Sequence, residues 1–343
     1  MKTAVVILNW NTRDYLERFL PPLLESCEGL DAEVVVADNA SGDGSVELLK
    51  EKFPSVRTIV LDKNYGFTGG YNRALEQIDA KYYLLLNSDI EVPKGWLEPL
   101  VDWMDTHPEC GVCGPKLHAL QNRESFEYAG AAGGYLDRFG YPYCRGRVLK
   151  KVEKDEGQYS FPKDVLWVSG ACLMTRSSLW KEFGGLDERF FAHMEEIDYC
   201  WRLGLAGWKV SVVPSSTVYH LGGGTLSPDS PKKLFLNYRN NLLLLENNLP
   251  STIGSARAGR RIFFRMVLDG ASAMVYLLSG KKEYFKAVID AHNGYRKLRK
   301  RSKGYPSSVK TDQARLSGVC ILTAAFLKGD RIFDYLKRYE DNN

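Results

Sequence analysis

The 343-residue sequence lacks the features of several protein classes. Its seven cysteines are scattered, and the one C-x-x-C, Cys110 with Cys113, has no second pair at the spacing of a zinc site, so reduced cytosolic thiols are expected. The N-terminal run MKTAVVILNWN is not followed by a small-residue cleavage site, which predicts a first strand and not a signal peptide. The glycines of NYGFTGGYN fit neither G-x-G-x-x-G nor the P-loop pattern, so a dinucleotide or ATP site of those types is disfavoured.

Net charge is also small, at +4, but it is unevenly placed. Between Ser255 and Lys310 there are 14 Lys or Arg residues and 3 Asp or Glu residues, a local charge of +11 that leaves −7 for the rest of the chain. With 44% hydrophobic and 26% charged residues, the composition is that of a folded globular protein. An acidic body with a basic C-terminal segment indicates that the segment meets an anionic surface.

Short β-branched runs alternate with helical patterns over the first ninety residues. The predicted strands are Thr3–Leu8, Glu33–Ala37, Arg57–Leu61 and Tyr82–Leu86, and the predicted helices are Tyr15–Ser26 (interrupted or kinked at Pro21 and Pro22), Gly44–Phe53 and Gly70–Ile78. This alternation predicts a parallel sheet with helices on both faces, whose ligands bind at the carboxyl ends of the strands. Polar clusters follow three of these strands: Asn9 and Asn11, Asp38 and Asn39, and Asn87, Ser88 and Asp89.

The pattern loosens after residue 95 and changes character beyond Lys232. We expect a helix over 96–106, irregular loop or short hairpins over 130–147, a strand in VLWVSGACLMTR, a helix from Ser177, a helix in EEIDYCWRLGLAGW, and extended segments in KVSVVP and TVYHLGGGT. The remainder is predicted to be helical, basic and aromatic. A soft boundary near residue 245 therefore separates a first domain, 1–245, from a C-terminal region, 246–343.

Three groups of residues have chemistry that the fold alone does not require. Asp89, with Asn87 on the same face of the strand, suits a divalent cation bound together with a diphosphate, and an Asx turn is the alternative. Glu195 and Glu196 begin a helix among aromatic residues, which favours a general base with a raised pKa, although acidic residues also stabilise a helix start without further function. His220 is either an ordinary packed histidine or a metal ligand. Asp198 and Arg202 are spaced for an ion pair.

Seven ordered blocks of the sequence resemble family 2 glycosyltransferases. The blocks are VVILNWN, VVVADNASGDGS, NYGFTGGYNRA, LLLNSDIEV, VSGACLMTR, GGLDERFFAHMEEIDYCWR and VYHLGGGT. They span about residues 3–226 and are most similar to the rhamnosyltransferase-like bacterial branch. The resemblance implies the GT-A fold, an α/β/α domain that binds nucleoside-diphosphate sugars, and the use of Mg²⁺ or Mn²⁺.

The resemblance also assigns roles to individual residues of the donor site. Asn9 and Asn11 would line the nucleotide site, Asp38 would meet the base or ribose, and Gly70 and Asn72 would lie near the nucleotide sugar.

The same resemblance places Asn87, Ser88 and Asp89 at the position of the D-x-D motif, where Asp89 is the matching carboxylate. His220 matches the second protein ligand of the metal, and Gly170 would line the floor near the sugar.

The chain departs from the family pattern at two positions. Asn87 replaces the first Asp of the motif, and Glu196 stands where an Asp usually follows Glu195, so Glu196 is the expected base and Glu195 the reserve. These expectations describe an inverting glycosyltransferase that moves a sugar to a glycan or lipid-linked acceptor in cell-surface polysaccharide synthesis. A dTDP-linked donor such as dTDP-rhamnose is favoured, with UDP sugars next.

Two alternative functions remain open from the sequence. A sugar-phosphate nucleotidylyltransferase would have a Gly-rich, Arg- and Lys-bearing loop after the first strand, where this chain has NWNTRDY. A non-catalytic nucleotide-sugar-binding or scaffold protein would bind donor and metal without transfer.

The basic C-terminal region indicates where the protein acts. RIFFRMVLDGASAMVYLLSG contains Arg265 and Asp269, which makes it a poor membrane-spanning helix. With its basic flanks it predicts interfacial helices on an anionic membrane, and packing against the first domain or in a homodimer is the alternative. Nucleic acid is disfavoured because no recognition module accompanies the charge. We expect a cytoplasmic protein, peripheral at the inner face of the plasma membrane.

Overall fold

The computed structural model describes residues 1–222, 230–299 and 316–341. The end of the predicted extended segment TVYHLGGGT and the second half of the basic run RKLRKRSK lie outside these residues.

The N-terminal third forms the predicted parallel sheet. Its elements are β1 (Thr3–Asn9), α1 (Arg13–Cys27), β2 (Ala32–Asp38), α2 (Ser45–Lys52), β3 (Arg57–Val60), α3 (Gly66–Leu75) and β4 (Tyr82–Leu86). In the central strand, Val5 pairs with Val34 on one side and with Leu84 on the other. All three side chains are buried, as expected for strands covered on both faces.

Two of these helices differ from the sequence-based expectation. Pro21 and Pro22 lie inside α1 without interrupting it, and Leu16, Leu20 and Leu23 of this helix are buried. Helix α3 begins four residues before the predicted Gly70, because the backbone amides of Phe67 and Thr68 donate hydrogen bonds to the Phe191 carbonyl.

The sheet continues with strands from the middle of the chain. They are β5 (Ile90–Glu91), β6 (Cys110–Ala119), β7 (Asn122–Phe126), β12 (Lys163–Asp164), β13 (Cys172–Arg176) and β14 (Lys209–His220), and the helices between them are α4 (Glu98–Thr106), α5 (Ser177–Glu182) and α6 (Glu195–Leu205). The order is β12-β14-β6-β13-β4-β1-β2-β3, with β5 on β14 and β7 on β6. Strand β13 runs antiparallel to β4, so the sheet is mixed.

In this middle segment the structure decides between two open alternatives and corrects two predictions. Residues 130–147 are part of a separate four-stranded antiparallel sheet, so the short hairpins and not the irregular loop are right. This small sheet consists of β8 (Gly134–Leu136), β9 (Pro142–Cys144), β10 (Arg147–Val148) and β11 (Lys151–Val152). Only the last five residues of VLWVSGACLMTR form a strand, and the two extended segments around Pro214 form one strand with a register shift between Val212 and Thr217.

Helices follow the two sheets. They are α7 (Pro231–Ile253), α8 (Ser255–Leu278), α9 (Lys282–Leu298), α10 (Ile321–Lys328) and α11 (Ile332–Asp341). Pro231 is the first residue of α7, and the hydroxyl of Ser230 accepts a hydrogen bond from the Lys233 amide, which caps the helix start. Residues 242–245 of α7 are fully buried in the main core, so residue 245 lies within a packed helix. Among the helices that the structure describes, none combines the length and hydrophobicity needed to cross a membrane.

Candidate active site

The ends of β1 and β2 form a rigid polar corner. The Asn9 amide donates to Asp38 Oδ2 at 2.8 Å, and the Ser41 backbone amide donates to Asp38 Oδ1 at 2.8 Å. Asn11 has a left-handed backbone (φ 53°), and its Oδ1 accepts from the Gly42 amide at 2.8 Å. The carboxylate of Asp38 is therefore fixed by a donor on each oxygen before any ligand binds.

The end of β4 lies beside this corner. Thr12 connects the two, since its hydroxyl is 2.9 Å from the Ser88 hydroxyl and also contacts Asn9 Oδ1. The backbone amide of Asn87 donates to the carbonyl of Ala171 at 2.9 Å. The structure therefore brings together the polar groups that follow β1, β2 and β4, as expected for a sheet of this type.

Asp89 and His220 are in contact although 131 positions separate them. The Nε2 atom of His220 is 3.2 Å from Asp89 Oδ1, and both side chains are buried. The contact follows from the sheet, because β5 pairs with the end of β14 and places His220 opposite Ile90.

Glu127 is a third buried group at this place, and the sequence analysis missed it. Its Oε1 lies 3.3 Å from Nδ1 of His220, in a charge contact and not a straight hydrogen bond, and its Oε2 accepts from the Ala129 amide. Burial lowers the pKa of His220, but the hydrogen bond to Asp89 and the negative charges of Asp89 and Glu127 outweigh burial and raise that pKa to about 10. Glu127 lies in FEYAG, which has no motif that would have singled it out.

The pair Asp89 and His220 fits a divalent cation. Two ligands about 2.1 Å from an octahedral ion are about 3.0 Å apart along an edge, close to the 3.2 Å between Nε2 and Oδ1. Among residues 1–222, 230–299 and 316–341, no group of three or more His, Cys, Asp or Glu side chains could hold a metal. A site with only two protein ligands requires further oxygen atoms, and diphosphate is the kind of ligand that supplies them for Mg²⁺.

Glu195 and Glu196 occupy the first turn of α6, where one carboxyl oxygen of each is shielded from solvent. Oε2 of each side chain is buried and has no hydrogen-bond partner within the part of the chain that the structure describes. Burial raises the pKa of Glu196 to about 7, against backbone hydrogen bonds that include one from Gly170. Burial, with the neighbouring Glu196 charge, also raises the pKa of Glu195 well above its usual range. A carboxylate with a pKa near neutrality can take up a proton and release it.

The loop before α6 has an unusual backbone. Phe191, His193 and Met194 all have positive φ angles, between 65° and 73°, which L-residues seldom adopt. The Phe191 carbonyl accepts hydrogen bonds from the Phe67 and Thr68 amides at 2.7 and 3.2 Å, which explains the early start of α3. Such strain persists only where surrounding contacts hold it.

Helix α7 supplies such contacts. The Asn240 amide lies 2.8 to 2.9 Å from the carbonyls of Phe190, Ala192 and His193, and the Arg239 guanidinium donates to the carbonyls of Arg189 and Phe190. Asn240 is fully buried. The loop that begins the Glu195–Glu196 turn is therefore fixed by a helix from the C-terminal part of the chain, which no local sequence signal indicates.

Asp198 has the structural role that its spacing predicts. It forms a buried ion pair with Arg202 at 2.8 Å and accepts hydrogen bonds from the amides of Asn247 and Asn248.

The remaining predicted site residues have different surroundings. The Asn72 side chain donates from Nδ2 to the Leu186 carbonyl at 2.8 Å and accepts at Oδ1 from the Leu186 backbone amide at 3.0 Å, so it fixes the loop that follows α5. A Cβ on Gly70 would lie 2.8 Å from the Leu8 side chain, which shows that the glycine allows α3 to pack on β1.

Gly170 lies between the Glu195–Glu196 turn and the strand end that bears Asp89. A Cβ there would meet Glu196 Cβ at 3.3 Å, and the next residue, Ala171, accepts the hydrogen bond from Asn87. Glu196 is thus only a short stretch of backbone away from the strand end that bears Asp89.

Comparison with known proteins agrees with this geometry. The family model "Glycosyl transferase family 2" matches residues 4–183, more than half of the chain. The N-acetylglucosaminyl-diphospho-decaprenol L-rhamnosyltransferase of Mycobacterium tuberculosis is 28% identical over 259 residues, 70% of this chain and 83% of the relative. Rhamnosyltransferase WbbL of Escherichia coli is 24% identical over 227 residues, 63% of this chain and 82% of the relative.

Solved structures show the same fold. A crystal structure of GalNAc-T7 with UDP, GalNAc and Mn²⁺ matches 72% of this chain with a TM-score of 0.55 and 18% identity, and the chain spans about half of that protein. S. aureus TarS 1-349 in complex with UDP-GlcNAc matches 86% of this chain and 82% of that one, with a TM-score of 0.55 and 16% identity. The chain belongs to glycosyl transferase family 2: it is a glycosyltransferase with the GT-A fold and a C-terminal helical extension, similar to rhamnosyltransferases.

Proposed function

We propose that the protein is an inverting, metal-dependent glycosyltransferase that moves a sugar from a nucleoside-diphosphate donor to a glycan or lipid-linked acceptor in cell-surface polysaccharide synthesis. The observation that carries this proposal is the buried contact between Asp89 and His220 at the sheet edge, together with the buried Oε2 atom of Glu196 near Gly170, which has no hydrogen-bond partner among the described residues. Rhamnose from a dTDP-linked donor is the first candidate, since two relatives are named rhamnosyltransferases, and UDP sugars are the next.

In this proposal, Asp89 and His220 would hold Mg²⁺ or Mn²⁺, and the cation would supply positive charge that stabilises the departing diphosphate. Solved neighbours contain Mn²⁺ with UDP or with GDP-mannose, which supports the choice of metal. Coordination at Nε2 would displace the proton that this nitrogen carries without metal, and Glu127, which faces the other nitrogen of the imidazole, would stabilise the proton that stays on Nδ1. Asn9, Asn11 and Asp38 receive the nucleoside, Asn87 and Ser88 border the diphosphate, and Gly70, Asn72 and Gly170 shape the donor pocket around the sugar.

Glu196 is the proposed base. It removes the proton of the acceptor hydroxyl while that oxygen attacks the anomeric carbon and the bond to the diphosphate breaks. Displacement is direct, so the configuration at the anomeric carbon inverts and no sugar-enzyme intermediate forms. The raised pKa of Glu196 supports this role, and Glu195 is the reserve candidate.

The proposal includes a cellular setting. The decaprenol-linked substrate in one relative's name supports a lipid-linked acceptor. We therefore propose a cytoplasmic protein whose C-terminal region, 246–343, contacts the inner face of the plasma membrane, with a homodimer contact as the alternative use of that region.

A thermal-shift panel of nucleoside diphosphates and their sugars, with and without Mn²⁺, tests the donor assignment. We expect the largest stabilisation from one nucleotide series, only when Mn²⁺ is present, because diphosphate and protein share the cation. Slow release of the nucleoside diphosphate from the same sugar donor should follow. A protein that no nucleotide stabilises and that hydrolyses no donor would contradict the proposal.

A further inference from the structure

Helix α8 has an apolar face that points away from the protein. Six of its large hydrophobic side chains are between 48% and 84% exposed: Phe263, Phe264, Val267, Met274, Val275 and Leu278. At about 100° per residue, these positions fall within a stripe about 120° wide along the helix. The four buried residues of the helix, Ala258, Arg265, Asp269 and Ala273, lie on the opposite side. Soluble proteins seldom expose a continuous apolar patch of this kind without a use for it.

The orientation of α8 is fixed by polar contacts on its inner side. Arg265 pairs with Asp269 at 2.8 Å and also donates to Asn241 Oδ1 and to the Phe139 carbonyl. Its guanidinium carbon lies 3.7 Å from the centre of the Tyr141 ring. Rotation of the helix to bury the stripe would bring Arg265 and Asp269 out of these contacts, so the apolar stripe faces outward because the inner face is occupied.

Basic residues lie at both ends of the stripe. Arg257 and Arg260 are exposed on the same side of α8 before Phe263, and Lys281 and Lys282 are exposed just after Leu278. From Phe263 to Leu278 the stripe is about 22 Å long at a rise of about 1.5 Å per residue. A groove between α8 and α9, lined by Phe263, Val267 and Arg296 among others, extends the surface sideways.

Charge distinguishes between the surfaces that could cover this face. The segment from Ser255 to Lys310 carries a net charge of +11, so two copies that met through it would repel each other. An anionic lipid leaflet attracts the same charge and accepts the apolar stripe between its headgroups. The combination is that of a helix that lies in the membrane interface.

We propose that the outer face of α8, with the α8–α9 groove, docks the protein on anionic phospholipid. The inference rests on the proposed membrane contact of the C-terminal region and names the surface that makes it. It needs neither a bound donor nor a particular sugar, so its failure is separable from failure of the transferase proposal.

Sedimentation with lipid vesicles tests the surface directly. The intact protein should bind vesicles of phosphatidylcholine with about one third phosphatidylglycerol, and should stay in solution with phosphatidylcholine alone. A double variant, Val267→Glu with Leu278→Glu, places one carboxylate within the stripe and one at its C-terminal end, and should weaken binding by about tenfold or more. Because both side chains are more than half exposed, the variant should keep the wild-type unfolding temperature.

Phe161→Glu is the matched control, since Phe161 is 82% exposed but lies in the loop before β12. It should bind vesicles like the wild type. The assignment of the docking surface is contradicted if the intact protein does not bind anionic vesicles, or if the double variant binds them as well as the control does. It is also wrong if sedimentation equilibrium shows a dimer that the double variant dissociates while vesicles recruit neither protein. Stabilisation by nucleotide and Mn²⁺, measured on the same samples, reports separately on the donor site.

Discussion

The candidate active site contains two acidic side chains, Asp89 and Glu196, that differ in whether a basic side chain contacts them. Burial would raise the pKa of Asp89, but the hydrogen bond and charge of His220 outweigh burial and lower it. Glu196 is half-buried near Gly170 with its Oε2 atom buried, no basic side chain of the described residues opposes the effect of burial on its pKa, and that pKa rises to about 7. A carboxyl group is therefore stabilised as an anion at the end of β4, whereas at the start of α6 a carboxyl group has protonated and ionised states of similar free energy near pH 7.

This difference explains why two carboxylates of one site can have separate tasks. Asp89, which stays ionised beside His220, suits the binding of a cation that remains bound through the reaction. A carboxyl whose two protonation states have similar free energies suits proton transfer. The fold sets this difference. Strand β14 brings His220 to Asp89, whereas no cationic side chain of the described residues contributes to the pKa shift of Glu196.

The largest effect should come from replacing the proton acceptor. We expect Glu196→Gln to lower the transfer rate by about 10²- to 10⁴-fold, the usual contribution of a general base, while donor affinity stays within about twofold. Steady-state kinetics and donor titration monitor the two quantities separately. A near-wild-type rate would remove Glu196 from the role, and a larger loss in Glu195→Gln would transfer the role to Glu195.

A smaller effect is expected at the cation side. Glu127→Gln removes the charge that faces His220 Nδ1 and should weaken Mn²⁺ binding by about 10- to 100-fold, as loss of a carboxylate behind a histidine ligand usually does. Titration of Mn²⁺ followed by electron paramagnetic resonance measures this without turnover. Glu153→Gln is the control, because Glu153 accepts a hydrogen bond from Tyr159 and not from a site residue. Equal Mn²⁺ affinity in both variants would show that Glu127 does not support the histidine.

The surroundings of Asp89 are easier to predict from the sequence than those of Glu196. Asp89 follows a buried strand of a recognisable alternation, so its position at the sheet edge could be predicted, and the family resemblance adds His220. The contact with Glu127 depends on the turn after β7, which carries no turn motif or periodicity that predicts it. The support of Glu196 by Asn240 joins residues 44 positions apart through tertiary packing, and propensity or spacing cannot reveal such a contact. The small antiparallel sheet was uncertain for the same reason, since its strands have only two or three residues each.

Asn240 allows the comparison to be sharpened. Asn240→Ala leaves the carbonyls of Phe190, Ala192 and His193 without their amide partner and should let the strained loop relax. We expect kcat to fall about tenfold through misplacement of Glu196, with little change in the KM for donor.

Asn241→Ala is the matched control for this variant. Asn241 is equally buried on α7, but its amide donates to Gly140 near the small sheet. Both variants should lower the free energy of unfolding to a similar degree. If both also lower kcat equally, Asn240 contributes only to stability and does not position the base.

The smallest expected effect is the pH dependence that follows from the raised pKa of Glu196. As a base it must be ionised, so the wild-type rate should rise with pH and level off above about 7, and the residual rate of Glu196→Gln should lack this rise.

The free energy of unfolding should change with pH in the opposite direction to the rate. The folded protein keeps the proton that the unfolded chain releases near 4.5, so the free energy of unfolding should fall as pH rises from about 4.5 to about 7. Urea unfolding at about pH 5 and about pH 8 should show a smaller fall for Glu196→Gln than for the wild type. Equal falls in the two proteins would mean that Glu196 ionises freely in the fold, and the contrast with Asp89 would then be lost.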